Sequence, residues 1–140
     1  DSHAAAVAEQ YDDLLSDTVK VVPFIEDMAA AYAWADVVIC RAGALTVSEL
    51  AGMGRPAILV PLPHAIDDHQ TANAHSLADL GGAILLRQSD MTEDSLLIAL
   101  RAYMEYPGRL RTMAEAARKA ASPEAASQVA DEVEALIDAA

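Results

Sequence analysis

Positive charge is what this sequence has least of: nine lysines and arginines stand against 22 aspartates and glutamates, a formal net charge of −13 and a pI of about 4.4. A nucleic-acid groove neutralises a run of phosphates with Lys and Arg, so an acidic balance of this size excludes a long phosphate-backbone ligand. It leaves room for one small phosphate ester held by a helix terminus and one arginine. Cysteine is nearly absent as well. Cys40 is the one copy, inside an apolar run, so there is no internal disulfide and the residue reads as a small core side chain suited to a reducing compartment. No apolar stretch approaches the roughly 20 residues that span a bilayer. The start, Asp1-Ser2-His3-Ala4, has no signal-peptide character, and no repeat, low-complexity tract or linker interrupts the chain. A soluble domain is expected, in a cytoplasmic setting.

What is present is an alternation. With 140 residues and 54% hydrophobic content the chain can bury one sizeable core, which predicts a single domain. Apolar runs predict strands over 19–22, 36–40, 57–62 and 83–86. Between them the spacing predicts helices over 4–15, 28–34 with Asp27 as cap, 46–53 closed by Gly54, and from a cap at Asp68 to residue 80, stopped by Gly81-Gly82. From residue 92 onward everything reads as helix: 93–106, 108–121, and a last helix over 124–140 with Ser122 as cap and Pro123 at its first position. Strand–helix alternation with short connections gives an α/β fold, a Rossmann-like parallel sheet flanked by helices, with an all-helical C-terminal segment. The organisation is a leading helix in 1–18, strand–helix repeats over 19–91, and C-terminal helices over 92–140.

The stretch Arg41-Ala42-Gly43-Ala44-Leu45-Thr46-Val47-Ser48-Glu49 joins a strand's carboxyl end to a helix's first turn. In a parallel sheet that is where anions bind, because free backbone N–H groups and the positive end of the helix dipole meet there. Thr46 and Glu49 also have the T-x-x-E spacing of a capping box, a purely structural alternative. The carboxyl ends of all parallel strands share one edge, so Phe24-Ile25-Glu26, residues 41–46, residues 63–70 and Arg87-Gln88 should converge on one rim. Near it, His69, Gln70 and Asn73 occupy the first turns of a helix, with Gln70 and Asn73 on one face. Their amides offer the donors and acceptors that sugar hydroxyls require, and a solvated helix start is the plainer alternative. Asp67-Asp68-His69 does not make a metal site, since two adjacent carboxylates on a cap point apart.

Four blocks carry a resemblance: Phe24-Ile25-Glu26-Asp27-Met28, Tyr32-Ala33-Trp34-Ala35-Asp36, residues 41–49, and Asp68-His69-Gln70-x-x-Asn73-Ala74. In order and spacing, from about Val19 to the C-terminus, they resemble the carboxyl-terminal domain of the MurG family. These are bacterial transferases that move N-acetylglucosamine from UDP-N-acetylglucosamine to lipid I, making lipid II for peptidoglycan. The resemblance implies the carboxyl-terminal half of a GT-B glycosyltransferase, with the donor nucleotide held mainly on this domain. It implies that Ile25 meets the uracil through its backbone, with Phe24 beside it. Ala44, Leu45 and Thr46 would line the diphosphate, with Arg41, Gly43, Val47 and Ser48 completing that segment. Glu49 would accept from the ribose hydroxyls, while Gln70, His69 and Asn73 would address the sugar ring. No metal or other cofactor is implied, because helix dipole and backbone donors stabilise the leaving UDP.

The departures shape the expectation equally. Family members open this domain with a strand and a glycine-rich G-G-S-x-G-A loop, and nothing in residues 1–17 matches it. The acceptor-binding amino-terminal domain, with the general base and the membrane-contacting patch, is not in this sequence either. No catalytic residue is therefore assigned within the chain, and the piece alone is expected to be inactive. The intact enzyme would sit peripherally on the cytoplasmic face of the inner membrane and meet lipid I through the other domain. In the strand order 3-2-1-4-5-6 the missing strands would lie between residues 19–22 and 37–40. The other readings are a different GT-B nucleotide-sugar transferase and a non-catalytic binding module.

Overall fold

The computed structural model describes residues 2–63 and 68–121. The helix expected over 124–140, with Ser122 and Pro123 at its start, and Asp67 lie outside the described residues. The chain divides into two compact units, residues 1–34 and 35–140.

The first unit contains helix α1 (Ser2–Tyr11), a 3-10 turn over Asp12–Leu14, and helix α2 (Met28–Trp34). The Asp27 cap is as expected: its Oδ1 accepts the Ala30 N–H at 2.8 Å. The strand expected over 19–22 is not formed. At its start Ser16 folds the chain into a turn instead. Ser16 Oγ accepts from the N–H groups of Thr18 and Val19, and the Ser16 N–H reaches back to the Val19 carbonyl at 3.0 Å. A strand also needs a neighbour for its ladder, and none of the described strands pairs with this segment.

The second unit is built on a three-stranded parallel sheet in the order β1 (Val38–Cys40), β2 (Ala57–Leu59), β3 (Ala83–Leu85). The register pairs Ile39 with Ile58 and Ile58 with Ile84. Each strand is shorter than its apolar run. Single bonds continue the ladder beyond the strand ends, from Val60 N–H to Cys40 O and from Leu86 N–H to Leu59 O, and Pro61 then has no N–H to give. β2 is buried on both faces, the continuous apolar burial expected of a covered parallel strand. Ile58 and Val60 meet Tyr103 on one face, backed by Leu96, Leu100 and Met113. Ala57 and Leu59 alternate to the other.

The helices that follow are α3 (Ala44–Met53), α4 (His69–Ala78), α5 (Glu93–Glu105) and α6 (Pro107–Ala120). α3 packs on α6 and α4, and α4 on β3. Thr92 and Ser95 form a true capping box at the start of α5. α4 stops two residues earlier than its sequence pattern suggests, because the Gly82 N–H turns back to the Leu77 carbonyl at 3.0 Å and Gly81 adopts φ +81°.

Two glycines of α3 separate conformational need from mere tolerance. Gly54 closes the helix at φ +59°, and a Cβ there would stand 2.5 Å from the Arg118 side chain of α6, whereas a Cβ at Gly52 meets nothing within 4 Å. Gly54→Ala should therefore cost about 1–3 kcal/mol from left-handed strain and displacement of Arg118. Gly52→Ala should gain about 0.5–1 kcal/mol from helix propensity. Urea unfolding of the two variants should move the midpoint in opposite directions.

Candidate functional site

The carboxyl edge of the sheet collects the turn after β1, the segment after β2 and the residues after β3. Gly43 is the N-cap of α3, in extended conformation at φ −64° and ψ 146°, and no side chain caps the helix. The first helical bond runs from the Val47 N–H to the Gly43 carbonyl at 2.9 Å. The amides of Ala44, Leu45 and Thr46 therefore precede the helical ladder, at the positive end of the dipole. This overturns the T-x-x-E capping box. The helix begins two residues before Thr46, so Thr46 sits inside its first turn and cannot be the N-cap.

The side chains around this terminus sort by helical phase. Val47 and Leu50 are buried in the core. Since the Val47 amide is also committed to Gly43, Val47 supports the turn by packing. Ala44, Ser48 and Glu49 are exposed, and Leu45 is 80% exposed. A Cβ at Gly43 would stand 3.7 Å from the Thr46 hydroxyl, an ordinary contact distance.

The amides on α4 have structural duties that their sequence positions did not disclose. Gln70 Oε1 accepts the Leu62 N–H at 3.0 Å, and Asn73 Nδ2 donates to the Ala42 carbonyl at 3.1 Å. Both tie the first turns of α4 to the strand ends beneath them. Asp68, expected to cap α4 through its side chain, instead adopts a left-handed conformation at φ 54° and makes no such cap bond. Its Oδ1 accepts the Thr71 hydroxyl at 2.6 Å. His69 is exposed in the first turn.

Arg41 is exposed, and its Nη1 donates to the carbonyls of Val60 and Pro61 at 3.3 and 3.2 Å. A positive charge is thereby strapped across the end of β2, close in sequence to the open terminus of α3. A cavity of about 300 Å³ opens along the same edge, lined by Leu62, Asp68, Thr71, Arg87, Gln88 and Ser89 among others. The sequence pattern put Arg87 and Gln88 on the rim without a role and overlooked Thr71 and Ser89; the break in apolar character after β3 was the available signal. Among the described residues no group of three His, Cys, Asp or Glu side chains could hold a metal ion. In the first unit, Phe24 is 77% and Ile25 44% exposed, and Ile25 borders an open cleft of that unit.

The sequence profile of the glycosyltransferase family 28 C-terminal domain matches residues 1–129. The chain belongs to this family. It is 56% identical over 128 residues to the UDP-N-acetylglucosamine--N-acetylmuramyl-(pentapeptide) pyrophosphoryl-undecaprenol N-acetylglucosamine transferase of Methylococcus capsulatus, covering 89% of this chain and 36% of that protein. The enzyme of the same name from Tolumonas auensis is 50% identical over 135 residues, covering 96% and 38%. The crystal structure of Acinetobacter baumannii MurG superposes with a TM-score of 0.83 at 47% identity, over 94% of this chain and 40% of the other. The chain thus spans under two fifths of the length of these curated relatives. The α/β architecture with its parallel sheet is that of the family, and the neighbouring structure is a GT-B glycosyltransferase.

Two measurements test the roles assigned to the rim. Ala42 is fully buried, so Asn73→Ala strands its carbonyl and should cost about 1–3 kcal/mol of unfolding free energy. Cys40 lies one residue before Arg41, and burial pushes its thiol up from the usual range. Its alkylation by iodoacetamide at pH 8 should be slower than that of a free cysteine, because the thiolate is the reactive form. Stability contributed by the buried neutral thiol is present below the ordinary thiol pKa and is lost as pH rises through the elevated one.

Proposed function

We propose that this chain is the donor-binding part of an N-acetylglucosaminyltransferase that takes UDP-N-acetylglucosamine and, through the rest of a longer protein, glycosylates lipid I in peptidoglycan synthesis. The observation that carries the reading is the uncapped start of α3, whose Ala44, Leu45 and Thr46 amides lie ahead of the first helical bond. Such a terminus suits a diphosphate without a metal ion. Glu49, exposed one turn further on, is assigned to the ribose hydroxyls, and Ser48 lies beside it on the same stretch. Gln70, whose Oε1 is engaged by the Leu62 amide, is assigned to the sugar through its amide donors. Asn73 acts on the sugar indirectly, by fixing α4 to the turn, and His69 stands at the entry. Ile25 and Phe24 are assigned to the uracil. Relatives that share half or more of the residues and are named for this transfer support the donor and acceptor.

No helix among the described residues is long and apolar enough to cross a membrane. The proposed setting is peripheral, on the cytoplasmic face of the bacterial inner membrane. Contact with the membrane and with lipid I, and the general base, are assigned to the part of the relatives that this chain does not span. No nucleic acid is a partner, given the net charge of −13.

The 140-residue chain, isotopically labelled, should show saturable shifts of the Ala44, Leu45 and Thr46 amides on titration with UDP-N-acetylglucosamine, unchanged by EDTA. Glu49→Ala should weaken this binding by about 1–3 kcal/mol, the range for a charge-assisted hydrogen bond, with a smaller change in melting temperature. Transfer to a lipid I analogue should be undetectable for the chain alone. Equal affinity for UDP-glucose would favour a different nucleotide-sugar transferase, and a titration without response at these amides would reject the donor assignment.

A further inference from the structure

The segment that leaves β2 is gripped from two sides at a single peptide group. Arg41 Nη1 donates to the Pro61 carbonyl at 3.2 Å, and the N–H of the next residue, Leu62, donates to Gln70 Oε1 at 3.0 Å. Both bonds belong to the one amide plane between Pro61 and Leu62. That plane is trans, since no cis peptide bond occurs among the described residues, so its C=O and N–H point to opposite sides. Rotating it bends both bonds at once. Arg41 Nη1 also holds the preceding plane through the Val60 carbonyl at 3.3 Å. The sheet ladder offers no such hold here, because it ends at the Val60 N–H and Pro61 has no N–H to continue it.

This grip sets the chemistry that Gln70 offers. An amide side chain carries an acceptor at one end and donors at the other, and its own shape does not choose between the two flipped orientations. The Leu62 N–H demands an acceptor, so Oε1 turns to the backbone and Nε2 becomes the opposite end. Arg41 reinforces the choice. A charged donor on the Pro61 carbonyl polarises the peptide group and strengthens the Leu62 N–H as a donor. With Arg41 removed, the plane is released to turn its N–H to water, and the orientation of the Gln70 amide is no longer imposed.

We propose that Arg41 is a positioning residue for selectivity toward the donor's sugar: through the Pro61–Leu62 peptide it fixes Gln70 as a hydrogen-bond donor, matched to a hydroxyl that accepts. The inference rests on the assignment of Gln70 to the sugar. It gives Arg41 a role exerted through the sugar contact and not through the diphosphate, because Nη1 is committed to the end of β2.

The test compares the full chain with Arg41→Met, Gln70→Ala and the double variant, each titrated with UDP-N-acetylglucosamine and with UDP, and follows the Leu62 amide by hydrogen exchange. Arg41→Met should weaken UDP-N-acetylglucosamine about fivefold, as for loss of one hydrogen bond, and leave UDP, which lacks the hexose, nearly unchanged. Added to Gln70→Ala it should not change the ratio of the two affinities further, because both substitutions act on one contact. The Leu62 amide should exchange faster in every variant. Arg41 is exposed, so folding should survive the change, and the melting temperature checks this. An equal loss for both ligands in Arg41→Met, the mark of a direct phosphate contact or a loosened fold, would overturn the proposal. So would an unchanged ratio, an additive double variant, or Leu62 exchange at the wild-type rate. Gln70→Ala weakening both ligands equally would instead reject the sugar assignment itself, a result separate from failure of the Arg41 role.

Discussion

The hydrogen bond from Asn73 to the buried carbonyl of Ala42 is the constraint on which the carboxyl rim depends. The turn after β1 must leave the sheet and start a helix within three residues, and Ala42 has no exposure to water there. Its carbonyl needs a partner from elsewhere. Asn73 supplies one from 31 positions away, and in doing so docks α4 beside the start of α3. Gln70, one turn earlier, repeats the device on the Leu62 amide. Arg41 closes the third side by holding the carbonyls of Val60 and Pro61. Four bonds between three side chains and the backbone therefore fix the segments after β1 and β2, which sheet pairing alone would leave loose.

Rigidity of that kind bears on the proposed donor site, whose amides at the start of α3 bind best when held in place beforehand. A flexible N-terminus would have to be ordered on binding, at a cost in affinity. Here Val47, Leu50 and Ala51 anchor the helix in the core, and Gly54 with Arg118 ends it against α6. The apolar face of α3 thus supplies the stability, which frees its first turn from any structural side-chain cap. The same division appears in reverse at α5, whose start is fully satisfied by the Thr92–Ser95 box and offers nothing to a ligand.

Much of this was legible in the residues, and the misses have a common cause. Helix α2 and its Asp27 cap follow from local signals, as do the cores of the three paired strands, since each depends on periodicity and on residues three or four positions apart. Residues 19–22 have the same apolar character as β1, yet remain outside the sheet, because strand formation requires a neighbour and not only a propensity. Thr46 and Glu49 match the capping-box spacing, but backbone conformation decides which residue is the cap, and Gly43 takes the extended geometry first. Gln70 and Asn73 do share a face as expected. Their partners at Leu62 and Ala42 were invisible because those contacts exist only after the strands have assembled.

On the proposed reading, anion binding by so acidic a chain rests on local arrangement against its own average field. The net charge of −13 repels any anion at a distance, with a range set by ionic strength. Close to the carboxyl rim, the nearest formal charge to the α3 turn in sequence is Arg41, and the nearest dipole is the helix itself. Helix-terminus attraction fades beyond the first turn, so it discriminates at contact and not during approach. Binding through backbone amides also discriminates by shape, since three N–H groups on one turn converge on a single small volume. Long-range repulsion then removes bulk polyanions, while a compact phosphate ester that reaches the turn meets fixed donors at short range. On that reading the scarcity of lysine and arginine contributes to selectivity, because a basic surface would attract phosphates of every kind.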